Sequence, residues 1–216
     1  MLKLGHIVAA AGLALTFFAG GTCAELKEGS DYARISPAQP TVAQNKIEVI
    51  EFFWYGCPHC HAFEPYVSKW KQSLPKDVTF RRVPADLGRW ASGARLFYAL
   101  VAIGEEDRLH GELFDAIHVE HLDFNSQTAL ADWLAREGVD RRKFVEAYNS
   151  PGVQADMLNA QRISKDHGIR GVPSMTVGGK YLTSNGMAGG FEELLMVVDQ
   201  LIARLRAEQS PRKDSP

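Results

Sequence analysis

Residues 46–60 read KIEVIEFFWYGCPHC and join a strand pattern directly to a helix pattern. The stretch 46–54 is rich in β-branched and aromatic residues and almost continuously apolar towards its end, which predicts a buried central strand. From residue 58 to residue 74 the apolar side chains recur at helical spacing, and Pro58 suits a first helical turn. We therefore expect Cys57 at the N-terminus of a helix and Cys60 one turn further along.

The flanking segments add further strands and a block of helices. Strands are predicted near residues 32–35 and at residues 78–83. After Pro84 the pattern changes to helices separated by turn signals, at residues 90–103, 108–119, 127–137, 141–148 and 152–167. Two short strands joined by Gly178-Gly179 then predict a hairpin at residues 174–183, and a last amphipathic helix follows at residues 191–207.

This order of elements resembles the thioredoxin fold, an α/β fold, with an α-helical domain inserted in its middle. We assign residues 25–87 and 168–208 to the thioredoxin-like domain and residues 88–167 to the inserted helical domain. Residues 209–216 are polar and are predicted to form a flexible tail.

The first 24 residues are typical of a cleavable signal peptide. Lys3 precedes an apolar run at residues 7–19, which small residues ending at Ala24 follow. The run is short for a membrane span. Cleavage after Ala24 would remove Cys23, although lipid modification of Cys23 stays an alternative. We therefore predict export to the periplasm, where disulfides persist.

Composition limits the classes of function. Three cysteines in 216 residues are too few for a disulfide-stapled scaffold, so a chemical role is favoured. The formal net charge is −2, with acidic and basic residues interspersed, which gives no electrostatic case for binding nucleic acid or an anionic membrane.

The Cys57-Pro58-His59-Cys60 motif predicts thiol–disulfide chemistry. Unpaired N–H groups and the dipole at a helix N-terminus favour an anion, so the pKa of Cys57 should fall. His59 can add positive charge beside that thiolate. Cys60 should be more buried and protonated, as the resolving thiol. A stabilised thiolate stabilises the reduced form and makes the disulfide a strong oxidant.

Two further features can assist this chemistry. Glu51 lies in the apolar strand, where a buried carboxylate would have a raised pKa and could relay a proton. An exposed Glu51 is equally compatible with the sequence, and Arg82 is a possible partner. Val172-Pro173 precedes the hairpin, and we predict a cis peptide bond there, in a loop that faces Cys57 and receives an extended peptide.

Together these residues resemble the DsbA family over nearly all of the chain after residue 24. The resemblance rests on EFFWYGCPHC, on Phe63-Glu64 and Leu74-Pro75, on the helical block, and on Arg170-Gly171-Val172-Pro173 and Gly179-Lys180-Tyr181. Pro58-His59 is the family's characteristic dipeptide. Two features depart from the best-known member: Trp54-Tyr55-Gly56 replaces bulkier apolar residues, and Arg82 stands where a lysine is expected.

The resemblance implies a protein that oxidises reduced, newly exported proteins and is reoxidised by a DsbB-type membrane partner linked to quinone. It implies no cofactor beyond the redox-active disulfide. The implied roles are Cys57 as nucleophile, Cys60 as its partner, His59 as thiolate stabiliser, Pro173 as cis-proline and Glu51 as buried acid.

Three other functions compete with this interpretation. Cys57–His61 also matches the haem-attachment motif of c-type cytochromes, with His61 and either Met175 or Met187 as axial ligands. A structural zinc site would need scattered histidines such as those at 110, 118 and 121. A disulfide isomerase or reductase would keep the fold, but isomerases of this type usually carry an N-terminal dimerisation domain, for which residues 25–45 are too few. We therefore predict a monomer that oxidises.

Overall fold

A computed structural model describes residues 25–42, 45–85 and 90–209. The strands of this part are β1 (Ala33–Arg34), β2 (Ile47–Phe53), β3 (Val78–Pro84), β4 (Ser174–Val177) and β5 (Tyr181–Ser184). The helices are α1 (Pro58–Gln72), α2 (Ala91–Ile103), α3 (Glu106–His118), α4 (Gln127–Arg136), α5 (Arg141–Tyr148), α6 (Pro151–Asp166), α7 (Asn185–Ala188) and α8 (Phe191–Gln209). Helices α2–α6 lie between β3 and β4 in the chain, as predicted for an inserted block.

The strands form one mixed sheet in the order β1-β5-β4-β2-β3. The predicted central strand, β2, is buried at every position, which explains its nearly continuous apolar sequence. It runs parallel to β3, where Glu51 is the register partner of Arg82, and antiparallel to β4. The edge strand β1 lies where the sequence predicts a strand, near residues 32–35, and it pairs with β5.

Helices cover both faces of the sheet. Val49 of β2 packs in one cluster with Phe63 and Val67 of α1 and with apolar residues of α8. Ile50 and Phe52 point to the opposite face, because side chains alternate along a strand, and pack with Ala160 of α6. The helices of the inserted block share a large core of their own, which the C-terminal end of β2 joins through Phe53.

Side-chain caps fix the starts of three helices in the inserted block. The side chains of Ser126, Asp140 and Ser150 accept hydrogen bonds from backbone N–H groups three residues on, at 3.2, 3.0 and 3.2 Å, and act as N-caps of α4, α5 and α6. Helix α1 ends two residues earlier than predicted, because the N–H of Ser73 turns back to the carbonyl of Trp70 at 3.0 Å. The short helix α7 was not predicted.

The hairpin turn needs glycine at both central positions. Gly178 and Gly179 have φ values of +58° and +63°, and the N–H of Lys180 donates to the carbonyl of Val177 at 3.1 Å, which confirms the turn predicted from the Gly-Gly pair. A Cβ atom on Gly179 would lie 2.1 Å from the carbonyl oxygen of Gln39, so even a small side chain is excluded.

The signal peptide at residues 1–24, with Cys23, lies outside the described residues, as do residues 86–89 at the start of the inserted block and most of the tail. The assigned domain boundaries therefore stay predictions. Within the described ranges, no helix has both the length and the hydropathy needed to cross a membrane.

Candidate active site

The turn between β2 and α1 places Cys57 at the N-cap of the helix. The N–H of Cys57 donates to the carbonyl of Trp54 at 3.0 Å, and its own carbonyl accepts from the N–H of His61 at 3.1 Å. Pro58 occupies the first helical position, and it is exposed together with His59. Cys57 and Cys60 are both free thiols in this structure, with 8% and 1% of their surface exposed. Cys57 is therefore the more exposed residue of the pair.

The two thiols differ strongly in acidity. The pKa of Cys57 is lowered to about 6, first by a hydrogen bond from the Cys60 thiol and then by the backbone N–H groups of Cys60 and His59. The positive charge of His59 contributes less, and partial burial opposes the shift. Burial raises the pKa of Cys60 well above its usual range. Both directions are the predicted ones, but the sequence did not indicate that the partner thiol would outweigh His59.

The loop that contains Val172 and Pro173, here called the proline loop, lies against Cys57, although Val172 is 115 residues away from Cys57 in the sequence. The Val172–Pro173 peptide bond is cis, as predicted. The Cys57 thiol donates to the carbonyl of Val172 at 3.7 Å, so the predicted juxtaposition of loop and cysteine is confirmed. A second cis bond, Ser36–Pro37, was not predicted.

Glu51 belongs to a buried cluster of charges. Arg82 donates from Nε to Glu51 at 3.1 Å and from its two terminal nitrogens to Glu64 at 3.0 Å and to Glu106 at 3.3 Å. Burial raises the pKa of Glu51 to about 7, while Arg82 opposes that rise. Of the two alternatives that the sequence left open, the structure has the buried Glu51, and the possible partner Arg82 does pair with it, whereas the sequence did not show that two other carboxylates share the same cation.

His110 and Tyr55 extend this cluster towards the cysteines. The Tyr55 hydroxyl lies 3.0 Å from Nδ1 of His110, and Nε2 of His110 lies 3.4 Å from a carboxylate oxygen of Glu64. Burial lowers the pKa of His110 to about 4, so its ring is neutral at pH 7. Sequence reasoning missed this link. The sequence does contain one indication of it: His110 occupies an apolar position of α3, beside Leu109 and one turn from Leu113.

The other histidines near the motif have structural partners. His61 pairs with Asp115 at 2.8 Å and stacks on His118, with ring centroids 4.8 Å apart. His118 contacts the carbonyl of Tyr55 at 2.8 Å. Met175, an axial ligand in the haem alternative, is fully buried in β4. In the described ranges, no group of three or more His, Cys, Asp or Glu side chains is arranged to hold a metal ion.

An aromatic pair borders the motif on the side of the inserted helices. Trp54 stacks on Trp90, with ring centroids 4.8 Å apart and planes 10° from parallel. Gly56 lies against the Trp54 ring, which a Cβ atom at Gly56 would approach to 2.4 Å. Trp54-Tyr55-Gly56 is the segment that differs from the best-known DsbA. Within it, Gly56 and Trp54 depend on each other, because the absence of a side chain at Gly56 makes room for the indole ring.

Comparison with known proteins agrees with this geometry. A family model described as the DSBA-like thioredoxin domain matches residues 48–201. The chain belongs to the DsbA family. The thiol:disulfide interchange protein DsbA of Pseudomonas aeruginosa is 43% identical over 180 residues, which cover 83% of this chain and 85% of that protein. The DsbA of Azotobacter vinelandii is 42% identical over 215 residues, which cover 96% of this chain and 99% of that protein.

Solved structures of DsbA proteins share the fold. The crystal structure of Pseudomonas aeruginosa DsbA superposes with a TM-score of 0.81 at 42% identity, covering 83% of this chain and 94% of that one. The DsbA of Xylella fastidiosa superposes with a TM-score of 0.80 at 33% identity, covering 84% and 98%. The predicted thioredoxin fold with inserted helices is confirmed, and the chain is a thiol:disulfide oxidoreductase.

Proposed function

We propose that this DsbA-family chain donates its Cys57–Cys60 disulfide to reduced, newly exported proteins in the periplasm. The observation that carries the proposal is the contrast between the two thiols: the pKa of Cys57 is about 6 and that of Cys60 is raised by burial. A stabilised Cys57 thiolate lowers the free energy of the reduced form. The disulfide form is then a strong oxidant of other thiols.

Two exchange steps account for the transfer. A client thiolate attacks Sγ of Cys57, the Cys57–Cys60 bond breaks, and Cys60 leaves as a thiolate that takes up a proton. A second client thiolate then attacks the client sulfur of the mixed disulfide, and Cys57 leaves as a thiolate. The client dithiol is oxidised to a disulfide, and two electrons reduce the disulfide of the protein to a dithiol.

The remaining site residues support these steps in distinct ways. His59 and the N-terminal turn of α1 stabilise the departing Cys57 thiolate. Glu51, with its pKa of about 7, can lose and regain the proton that Cys60 needs at neutral pH. Val172 and Pro173 receive the extended client segment beside Cys57, since the carbonyl of Val172 lies 3.7 Å from Sγ.

Reoxidation completes the cycle in this proposal. The Cys57 thiolate is the nucleophile that attacks a disulfide of a DsbB-type membrane partner, and Cys60 then closes the intramolecular bond. Neither half of the cycle calls for a cofactor or a metal ion in the protein itself. Membership of the DsbA family and the signal-like residues 1–24 support a periplasmic location.

A redox equilibrium tests the proposal. The purified protein is equilibrated with glutathione buffers of graded ratio, and the dithiol fraction is quantified by thiol alkylation. We expect the disulfide to persist only in strongly oxidising buffers. A disulfide as stable as that of thioredoxin would contradict donation and favour a reductase. Light scattering on the same sample distinguishes the expected monomer from a dimeric isomerase.

A further inference from the structure

A cavity of about 780 Å³ opens beside the proline loop. It is bounded by the C-terminal end of α6, the loop at residues 168–174, the strands β1 and β5, and α7. Val172 and His59 both line it, and the carbonyl of Val172 accepts the hydrogen bond from the Cys57 thiol. The cavity is therefore continuous with the site at which a client sulfur is exchanged.

The cavity has an apolar floor. Ile35 directly after β1, Leu182 of β5, Val172 and Met187 line it, and all four are only partly buried. Side chains of an extended peptide can cover such a floor and remove apolar surface from water. The floor explains binding of client segments in general but does not discriminate between them.

The rim of the cavity carries more positive than negative charge. Its basic residues are Arg34, Lys165 and Arg170, with His59 beside the cysteines, and its acidic residue is Asp166. His167 also lines the cavity, but burial lowers its pKa and leaves the ring neutral at pH 7.

Two of these basic residues lack a compensating charge. Arg34 pairs with Glu28 at 2.8 Å, and Asp166 pairs with Arg162 at 3.3 Å. Among the residues that the structure describes, no carboxylate lies within 4.0 Å of the exposed side chains of Lys165 and Arg170. Lys165 lies in the last turn of α6, where a cation stabilises the helix, but Arg170 follows the helix and has no such role.

We infer that this cavity selects client segments that carry Asp or Glu close to the cysteine being oxidised. The inference rests on the proposed function, since it names the substrate class of the same site. The apolar floor holds the extended segment, and the uncompensated charges of Lys165 and Arg170 attract its carboxylates. Exposed charges act mainly on the association rate and are screened by salt, so the selection must weaken as ionic strength rises.

Matched peptides test this substrate class. Each peptide carries two cysteines and differs only at two positions close to the first of them, which hold Asp-Asp, Asn-Asn or Lys-Lys. The variable pair is placed before the cysteine in one set and after it in another, because the direction of the bound chain is open. The oxidised protein is mixed with each peptide at low and high salt, and the rate of peptide oxidation is measured.

In one of the two sets we expect the Asp-Asp peptide to react about three- to tenfold faster than the Asn-Asn peptide at low salt, and the Lys-Lys peptide to react more slowly. High salt should bring the three rates together. The ratio of the acidic to the neutral rate is the readout, because it cancels any change in the redox potential.

In a charge-reversed variant, Lys165→Glu with Arg170→Glu, the ratio of the acidic to the neutral rate should fall to one or below one. Its matched control, Lys76→Glu with Lys143→Glu, changes the same charge at two exposed lysines outside the cavity and should keep the ratio of the unmodified protein. Equal rates for acidic and neutral peptides, or a preference that survives charge reversal, would overturn the inference while leaving disulfide donation intact. Failure to oxidise any peptide would instead overturn the proposed function.

Discussion

Arg82 donates a buried hydrogen bond to Glu51 over 3.1 Å, and the same guanidinium serves Glu64 and Glu106. One cation thus faces three carboxylates beneath the active-site helix. A shared cation cannot compensate fully for the desolvation of each carboxylate. The pKa of Glu51 accordingly rises to about 7, whereas an unfolded chain would keep it near about 4.3.

This difference in pKa predicts the effect of Glu51→Gln on stability. Between about pH 4.5 and pH 7 the folded state binds more protons than the unfolded state, so ionisation of Glu51 lowers the free energy of unfolding as the pH rises. Glutamine does not ionise, so the variant does not lose this part of the free energy of unfolding as the pH rises. The variant should match the unmodified dithiol protein near pH 4 and exceed its free energy of unfolding at pH 8 by on the order of 1–3 kcal/mol, measured by urea denaturation.

The control for this experiment is Glu112→Gln, which removes a carboxylate on the exposed face of α3. Its stability curve should follow the unmodified protein over the whole pH range. A Glu51→Gln protein that is less stable at every pH would mean that the ion pair with Arg82 outweighs the desolvation of Glu51.

Substitutions can show how much each neighbour contributes to the lowered pKa of Cys57. Cys60→Ala removes the hydrogen bond that lowers the pKa of Cys57 most, so the midpoint of thiolate absorbance should move from about 6 towards the ordinary value of about 8.5. Cys60→Ser keeps a hydroxyl donor and should cause a smaller rise.

His59→Ala should raise the pKa of Cys57 less than Cys60→Ala does, because the charge of His59 contributes less than the thiol hydrogen bond. It should also make the protein less oxidising towards glutathione, since the reduced form loses part of its stabilisation. A larger pKa rise in His59→Ala than in Cys60→Ala would reverse the ranking, and an unchanged potential would remove His59 from the mechanism.

The strand and helix around the cysteines were predictable because their pattern is local. The apolar run of β2, the helical spacing of α1 and the Gly178-Gly179 turn each depend on neighbouring residues, and the structure has them at the predicted places. The cysteine motif is also a contiguous stretch of sequence, so it can be recognised without knowing which distant residues surround it. For this reason the amino-acid sequence was sufficient to place Cys57 at a helix N-terminus.

The surroundings of the cysteines were less predictable because they assemble from distant segments. Tyr55 and His110 are 55 residues apart, and the sequence pattern of neither segment indicates that the two side chains would be in contact. The basic cavity likewise combines residues from α6, the proline loop, β1 and β5. The pair Glu51–Arg82 could be guessed because adjacent parallel strands bring it into register, but the contributions of Glu64 and Glu106 come from helices whose packing the sequence does not specify.

The separate roles of the two cysteines can be resolved by serine variants. Cys57→Ser leaves only the buried sulfur of the pair, so oxidation of a reduced client should fall to background. Cys60→Ser keeps the accessible Cys57 but lacks the thiol that releases it from a mixed disulfide. Complexes with clients should accumulate and appear on non-reducing gels, and they should disappear in the double serine variant. Normal turnover by Cys60→Ser would contradict a mechanism with two thiols.

The turn before Cys57 should be sensitive to a single methyl group. In Gly56→Ala the new Cβ would lie 2.4 Å from the Trp54 ring, which is fixed by stacking on Trp90. Moving the indole should lower the free energy of unfolding by about 1–3 kcal/mol, the usual range for overpacking, and should change the tryptophan fluorescence.

Two further variants separate this clash from the general effect of replacing glycine. Gly111→Ala, in the middle of α3, brings its Cβ no closer than 4.0 Å to the atoms around it and should stabilise the helix by about 0.5–1 kcal/mol. In a Trp54→Phe background the smaller ring leaves more room, so Gly56→Ala should cost less there than in the unmodified protein. Additive effects of the two substitutions in urea denaturation would show that Gly56 is needed for another reason than the indole.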